Sequence, residues 1–317
     1  MKKRTVNRTQ RTQKIPKNKN KRIPTVKEKK QYIDINILNT NARSLCPKIH
    51  SLIDMYDELD LTFGVVTETW LADGITLEED KQDLLLGAGL SIICRNRKPD
   101  LRGNAYRGVA LVYREELCNF KSLQLDNPSN FEILTAVGSA HSLTRKIAVV
   151  GCYVPPNYTV ARAQACLNHI EGVVIELKRR LKDPVIIVMG DFNQWEVETA
   201  LQEFWDMGGS SAGPTRGSLK LDRIFTNLGQ IKEVKILAPL STSSDTGSVK
   251  ESDHKVVYLS ASIERKERYK RLSYSYRYNN PDSERKFGEW IVQKDWSELL
   301  QLPNSTANTE AYQAEIT

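Results

Sequence analysis

Seven polar residues stand at the ends of, or inside, apolar strand-like runs: Asn41, Glu68, Asp191, Asn193, Asp222, Asp253 and His254. In a layered α/β protein, strand ends on one edge converge to build a site. The oxygen-rich part of this set suits a hard divalent cation, because Mg2+ takes one or two carboxylates plus substrate phosphate. An imidazole beside one Asp, with a second Asp elsewhere, can be oriented for acid–base work. Together these residues describe metal-assisted hydrolysis of a phosphodiester. Carboxylates and metal set up a water, an amide orients it, and cationic groups hold the phosphate.

Singly, each residue has a plainer reading. Gly190-Asp191-Phe192-Asn193 after an apolar run fits a turn, and Ser252-Asp253-His254 fits a turn or helix cap. Tyr153 fits either a packing residue or a phosphate-facing hydroxyl. His50, His141 and His169 fall in helix-like or irregular contexts and read as structural. Asp222 is harder to dismiss, because an acid between Leu221 and Ile224-Phe225 needs a buried partner. The joint occurrence of these residues carries the argument.

The elements that must position them follow from periodicity. Strand-like runs cover Ile33–Leu38, Leu61–Val66, Leu90–Cys94, Gly108–Tyr113, Phe131–Val137, Ile147–Val154, Val185–Met189, Leu221–Phe225, Ile231–Leu237 and Val256–Ile263. Pro47 opens a helix carrying Ile49, Leu52, Ile53, Tyr56 and Leu59. A long helix spans Val160–Leu181, with Ala163, Cys166, Leu167, Ile170, Val174 and Leu177 on one stripe. A shorter helix is expected over Glu196–Met207, and another from a Ser283 cap to Val292. The mixture of alternating and solidly apolar strands predicts a layered α/β protein with mixed sheets, one of them covered on both sides.

The 317 residues carry a net charge of +7, unevenly spread. Residues 1–30 hold 13 basic residues and one acid, a net of +12, so the other 287 carry 33 basic against 38 acidic groups, a net of −5. The expected organisation is therefore a basic, disordered arm over 1–31, a globular body over 32–263, and a linker with a short helix over 264–317. An arm this basic attracts polyanions, which points to nucleic acid or nuclear import. Five scattered cysteines without a CxxC pair speak against a zinc site or disulfide framework. No apolar run is long enough for a membrane helix and no secretory signal is visible, so a nuclear or cytoplasmic location is expected.

Asn41-Ala42-Arg43-Ser44-Leu45, Glu68-Thr69-Trp70, Tyr153-Val154-Pro155, Gly190-Asp191-Phe192-Asn193, Leu221-Asp222-Arg223-Ile224 and Ser252-Asp253-His254 resemble, in order, the motifs of the endonuclease/exonuclease/phosphatase superfamily, which includes deoxyribonuclease I. Within it, the first two motifs and Pro214-Thr215-Arg216-Gly217 are similar to the endonuclease domain of non-LTR retrotransposon polyproteins. The resemblance implies a four-layer α/β sandwich, two packed mixed β-sheets flanked by helices. It implies Mg2+, with Mn2+ able to substitute, held by Glu68 with Asn41 and supported by Asp253. Asp191 and Asn193 would activate and orient water, His254 paired with Asp222 would hold the scissile phosphate, and Tyr153 and Thr215 would contact it. Charge rather than resemblance points to Arg43 and Arg216 as DNA contacts, because a body with a net of −5 needs local cations to hold a polyanion. Apurinic endonucleases carry an acid where this chain has Arg43, which argues against efficient abasic-site repair.

The leading reading is a Mg2+-dependent endonuclease nicking DNA for target-primed retrotransposition. It implies a monomeric nuclease domain, no membrane partner, and element RNA as a further partner of the arm. The chain is expected to be a truncated polyprotein. Alternatives are a catalytically inactive, nucleic-acid-binding transposon remnant, or a phosphatase or sphingomyelinase of the same fold.

Overall fold

The computed structural model describes residues 31–71, 79–96, 107–127, 129–140, 143, 145–206, 213–242, 250–265 and 281–293. The basic arm lies outside them, except that Gln31 already opens the first strand. The chain divides into two units between Lys266 and Glu267. In the first unit β1 (Gln31–Asn41), β2 (Phe63–Thr67), β3 (Leu90–Arg95), β4 (Val109–Arg114), β11 (Ile231–Leu237) and β12 (Val256–Arg265) form one sheet, ordered β11-β12-β1-β2-β4-β3. The other sheet is ordered β5-β6-β7-β8-β10-β9, from β5 (Cys118–Ser122), β6 (Glu132–Ala140), β7 (Ile147–Tyr153), β8 (Val185–Asp191), β9 (Trp205–Asp206) and β10 (Asp222–Thr226).

Each sheet has one parallel pair at its centre, β1 with β2 and β7 with β8, and every other pairing is antiparallel. A parallel pair needs a crossover, and helices supply both. Helix α1 (Ile49–Glu58) links β1 to β2, and α3 (Val160–Arg180) links β7 to β8.

Strand alternation decides which residues meet. Ile35, Ile37, Val65, Leu111 and Leu259 of the first sheet pack against Val149, Ile187, Met189 and Ile224 of the second. The opposite face of the second sheet, with Ala148, Val150, Ile186 and Val188, is covered by Cys166, Leu167, Ile170, Val174 and Leu177 of α3. The opposite face of the first sheet, with Leu38, Val66, Val112 and Val256, is covered by Ile49, Leu52 and Tyr56 of α1 and by Leu85 of α2 (Glu79–Gly87). The result is a four-layer α/β sandwich. Both sheets, rather than one, are covered on their outer faces.

One expected helix is absent. The sequence predicts a helix over Glu196–Met207; instead, over 197–204, the chain makes successive turns, with Ala200 N donating to Val197 O and Phe204 N to Leu201 O, and Met207 lies outside the described residues. Val197 and Leu201 are buried all the same. Trp205–Asp206 then pair with Phe225–Thr226 as the edge strand β9. Pairing with the sheet edge satisfies that backbone, which a continued helix would forfeit. In the second unit, α4 spans Pro281–Gln293, opening on a proline pre-set for a first helical turn rather than on a Ser283 cap. Among the described residues no helix is long and apolar enough to cross a membrane.

Candidate active site

The inner faces of the two sheets turn polar at one end. Asn39 and Asn41 continue the inward series of Ile35 and Ile37 in β1, Asp191 continues that of Ile187 and Met189 in β8, and Asp222 stands two residues before Ile224. Register aligns them: Tyr153 is opposite Asp191 across the parallel pair, and Asp191 is opposite Asp222 across the antiparallel one. Two buried carboxylates and a phenol thus replace core aliphatics at the end of a dry interface.

Asn41 ties the site together. Its amide nitrogen lies 2.9 Å from Glu68 Oε1 and 2.9 Å from Asp191 Oδ2, while its Oδ1 accepts from the Arg43 backbone N–H at 3.0 Å. Asp191 Oδ1 accepts from the backbone N–H of Asn193 at 2.9 Å, and Asn193 Nδ2 donates to Val154 O at 3.0 Å. The Tyr153 phenol is close enough to Glu68 that this carboxylate's charge acts on it. Glu68 and Trp70 have left-handed backbone, with φ of 50° and 56°, which non-glycine residues keep only where their surroundings impose it. Here the Arg107 carbonyl accepts from Trp70 N at 2.7 Å, and Glu132 holds that segment through Arg107 and the Gly108 N–H, both at 3.2 Å.

The histidine arrives from the turn before β12. His254 Nδ1 lies 2.8 Å from Asp222 Oδ2, and both side chains are buried. Ser252 Oγ accepts from His254 N at 3.3 Å and donates to Asn41 O at 2.6 Å, so one hydroxyl joins the His254 turn to β1. Thr215 is buried; its Oγ1 accepts from Leu221 N at 3.0 Å and Asp222 N at 3.2 Å, fixing the start of β10. Asp253 faces elsewhere. Its Oδ2 bonds Arg43 at 3.2 Å and Arg216 at 2.6 Å, at a half-exposed rim.

The electrostatics follow from burial and crowding. Burial, then the neighbouring Asp222 charge, pushes the Asp191 carboxyl up to about 7, against the opposing pull of His254, the Asn41 amide and the Asn193 N–H. Burial opposes charge on His254, but the Asp222 hydrogen bond and the charges of Asp222, Asp191 and Asp253 prevail and raise its pKa. Burial and the charges of Glu68 and Asp191 raise the Tyr153 phenol, which therefore acts as a donor. Burial would raise Asp253, yet Arg216 and Arg43 hold it below the usual carboxylate range.

The Glu68 carboxylate and the Asn41 amide oxygen, next to the buried Asp191 and Asp222 carboxylates, make an oxygen-rich donor set that suits a hard divalent cation. The neighbouring acids and His254 crowd the same spot. Ligand atoms of Asp191, Asp222 and His254 lie within 4.8 Å of one another. The buried Asp222 Oδ1 has no hydrogen-bond partner among the described residues, and a bound cation or water would satisfy it.

Three contributors, Asn39, Glu132 and Lys48, escaped the sequence reading, and a fourth, Ser252, entered it only as part of a turn or helix cap. Asn39, fully buried, donates to Gly190 O and Arg223 O and so ties the two sheets together. Glu132 and Ser252 act as described above, and Lys48 places its ammonium on the carbonyls of Ala42, Arg43 and Ser44 at 2.8, 3.2 and 3.4 Å. Only Ser252 carried a local signal, a serine two residues before a turn N–H. His50, on α1, is exposed, and the His169 ring lies tilted against Phe131 with centroids 5.7 Å apart; His141 lies outside the described residues.

With this geometry the chain belongs to the endonuclease/exonuclease/phosphatase family, whose model matches residues 35–254. An endonuclease/exonuclease/phosphatase family protein from Bacteroides thetaiotaomicron superposes with a TM-score of 0.57 at 14% identity, covering 73% of this chain and 98% of its own. An AP endonuclease from Archaeoglobus fulgidus gives 0.51 at 16% identity, covering 71% and 98%. The 3′ phosphatase NExo from Neisseria, bound to a product DNA hairpin, gives 0.52 at 15%, covering 71% and 98%. At such identities the likeness is one of fold. No curated protein sequence matches this chain.

Proposed function

We propose that this chain is a divalent-metal-dependent endonuclease that hydrolyses one DNA strand, leaving a 3′-hydroxyl. The observation that carries the reading is the Asn41 amide, which holds Glu68 and Asp191 on one side of the buried Asp222–His254 pair. Glu68 with Asn41 would hold Mg2+, or Mn2+ in its place, and the bound cation supplies positive charge for the phosphate oxygens.

The chain's own groups account for the proton and phosphate work. Asp191, raised to about 7, accepts a proton from the attacking water, which Asn193 orients. The water oxygen bonds to phosphorus as the bond to the 3′ oxygen breaks, and that oxygen takes up a proton. His254, held cationic by Asp222, binds the phosphate oxygen whose charge grows in the transition state. The Asn41 amide donates to Glu68 and keeps it oriented, while Tyr153, held protonated by burial and by the neighbouring Glu68 and Asp191 charges, offers a donor beside them.

The resemblance of Asn41–Leu45, Glu68–Leu71 and Pro214–Gly217 to retrotransposon endonucleases supports target-primed reverse transcription as the setting, with DNA as substrate, element RNA as a partner of the basic arm, and the nucleus as the place of action. Nicking of supercoiled plasmid tests the activity. Open circles should accumulate with Mg2+ and not with EDTA, and His254→Ala should slow the reaction by about 10²–10³-fold. Undiminished nicking by that variant would sink the mechanism; no nicking by the unaltered chain would sink the function.

A further inference from the structure

We propose that Arg43 and Arg216, gathered by Asp253, form a binding site for a second, uncleaved phosphate of the nucleic-acid strand, and that Asp253 positions these arginines rather than binding metal. The proposal rests on the nucleic-acid substrate of the preceding section.

Both guanidiniums meet the same oxygen, Asp253 Oδ2, Arg43 at 3.2 Å and Arg216 at 2.6 Å. One carboxylate between two guanidiniums leaves a local charge of +1. Each guanidinium carries five N–H donors, and Asp253 occupies only a minority of the pair's total. The side chains remain 49% and 46% exposed, so the remaining donors are open to a ligand. Two planar forks held together suit a phosphate, whose oxygens accept paired charge-assisted hydrogen bonds.

The backbone beneath both arginines is fixed. Arg43 has a φ of 43°, its N–H donates to Asn41 Oδ1, and its carbonyl accepts from the buried ammonium of Lys48. Arg216 N donates to Leu219 O at 3.1 Å and its carbonyl accepts from Leu219 N at 2.8 Å. Fixing these stems in advance lowers the entropy lost on binding. Lys48 also places a third positive charge under the loop, close enough that the Arg43 charge, after burial, lowers its pKa while Asp253 opposes the shift.

Connectivity puts this rim beside the reacting phosphate. Arg43 follows the bridging Asn41 by two residues, Arg216 follows Thr215, and Asp253 precedes His254. The floor of the site is acidic, with Glu68, Asp191 and Asp222, and the body as a whole carries −5. A polyanion entering such a site needs a cationic foothold next to it, and this pair supplies one. A divalent cation on Asp253 would meet a carboxylate whose charge two guanidiniums already neutralise.

The test uses the full chain and two readouts. Binding of a labelled DNA duplex in EDTA, followed across salt concentrations, should weaken about tenfold in an Arg43→Gln/Arg216→Gln variant, and the log–log salt slope should become shallower by about 0.9. The Arg43→Lys/Arg216→Lys variant keeps charge without the fork; it should retain the slope and lose affinity. Mn2+ binding without DNA, read by electron paramagnetic resonance, should be unchanged in Asp253→Asn and lost in Glu68→Gln. An unchanged slope in the Gln variant, or Mn2+ loss in Asp253→Asn matching that of Glu68→Gln, overturns the proposal. A chain that binds DNA through these arginines yet never nicks plasmid refutes the nuclease reading and leaves this one standing.

Discussion

Asp191 and Asp222 are direct cross-strand partners in adjacent antiparallel strands, and both side chains are buried. Two like charges on facing positions of a dry interface repel, and neither can be fully hydrated. Folding accepts this arrangement only because His254 bonds one acid and Asn41 and the Asn193 N–H bond the other.

The pair makes stability depend on pH. Asp191 titrates near 3.8 when unfolded and is pushed up to about 7 when folded, so the folded state holds its proton more tightly. That contribution is complete below the unfolded value and is lost as pH rises through the folded one. The raised pKa of His254 acts in the same sense, from 6.5 upward. In EDTA the melting temperature should fall between pH 5 and pH 8, by an amount corresponding to about 2 kcal/mol. Asp191→Asn removes the Asp191 titration and should flatten that fall. A variant whose melting curve keeps the original pH dependence would show that Asp191 is not the group responsible.

Much of the fold and site was legible because alternation is a local signal. The series Ile35, Ile37, Asn39, Asn41 and the series Val185, Ile187, Met189, Asp191 each show a core strand changing character at one end. What was not legible depended on tertiary contacts. Strand β5 is five residues long with only Cys118 and Phe120 buried, and α2 buries only Leu85, so neither carries a clear stripe. Val197 and Leu201 have helical spacing, but consecutive turns bury them equally well. Lys48 could not be singled out because its partners are backbone carbonyls, which every residue has. Only the left-handed turn at Arg43 and Ser44 presents three of them to one ammonium.

Gly190, one residue before Asp191, tests how closely the parallel pair must approach. Its φ is 154°, and a Cβ there would lie 1.8 Å from the Cys152 carbonyl oxygen. That atom belongs to the neighbouring strand's backbone, so no side-chain rotation relieves the clash. Gly190→Ala should destabilise the chain by about 3 kcal/mol and shift Asp191 away from Asn41. Urea unfolding gives the first quantity. Gly172 is the control: it lies in α3 with nothing within 4 Å of a Cβ, so Gly172→Ala should be neutral or stabilising. Equal effects at both positions would contradict the close approach.

The uneven charge distribution separates delivery from chemistry. Residues 1–30 carry +12, whereas every residue assigned to the reaction lies in the remaining part, whose net charge is −5. Counterion release makes affinity for DNA fall with salt in proportion to the phosphates neutralised. Removing residues 1–30 should therefore weaken duplex binding at low salt and make the log–log salt slope shallower by several units. The chain would still contain Glu68, Asp191 and His254, so nicking at saturating DNA should proceed at an unchanged maximal rate, with the loss confined to KM. The arm and the Arg43–Arg216 rim should contribute separately to the slope, so deleting one leaves the other's increment measurable. A fall in the maximal rate on removing residues 1–30 would mean that the arm takes part in assembling the site and does more than bring DNA to it.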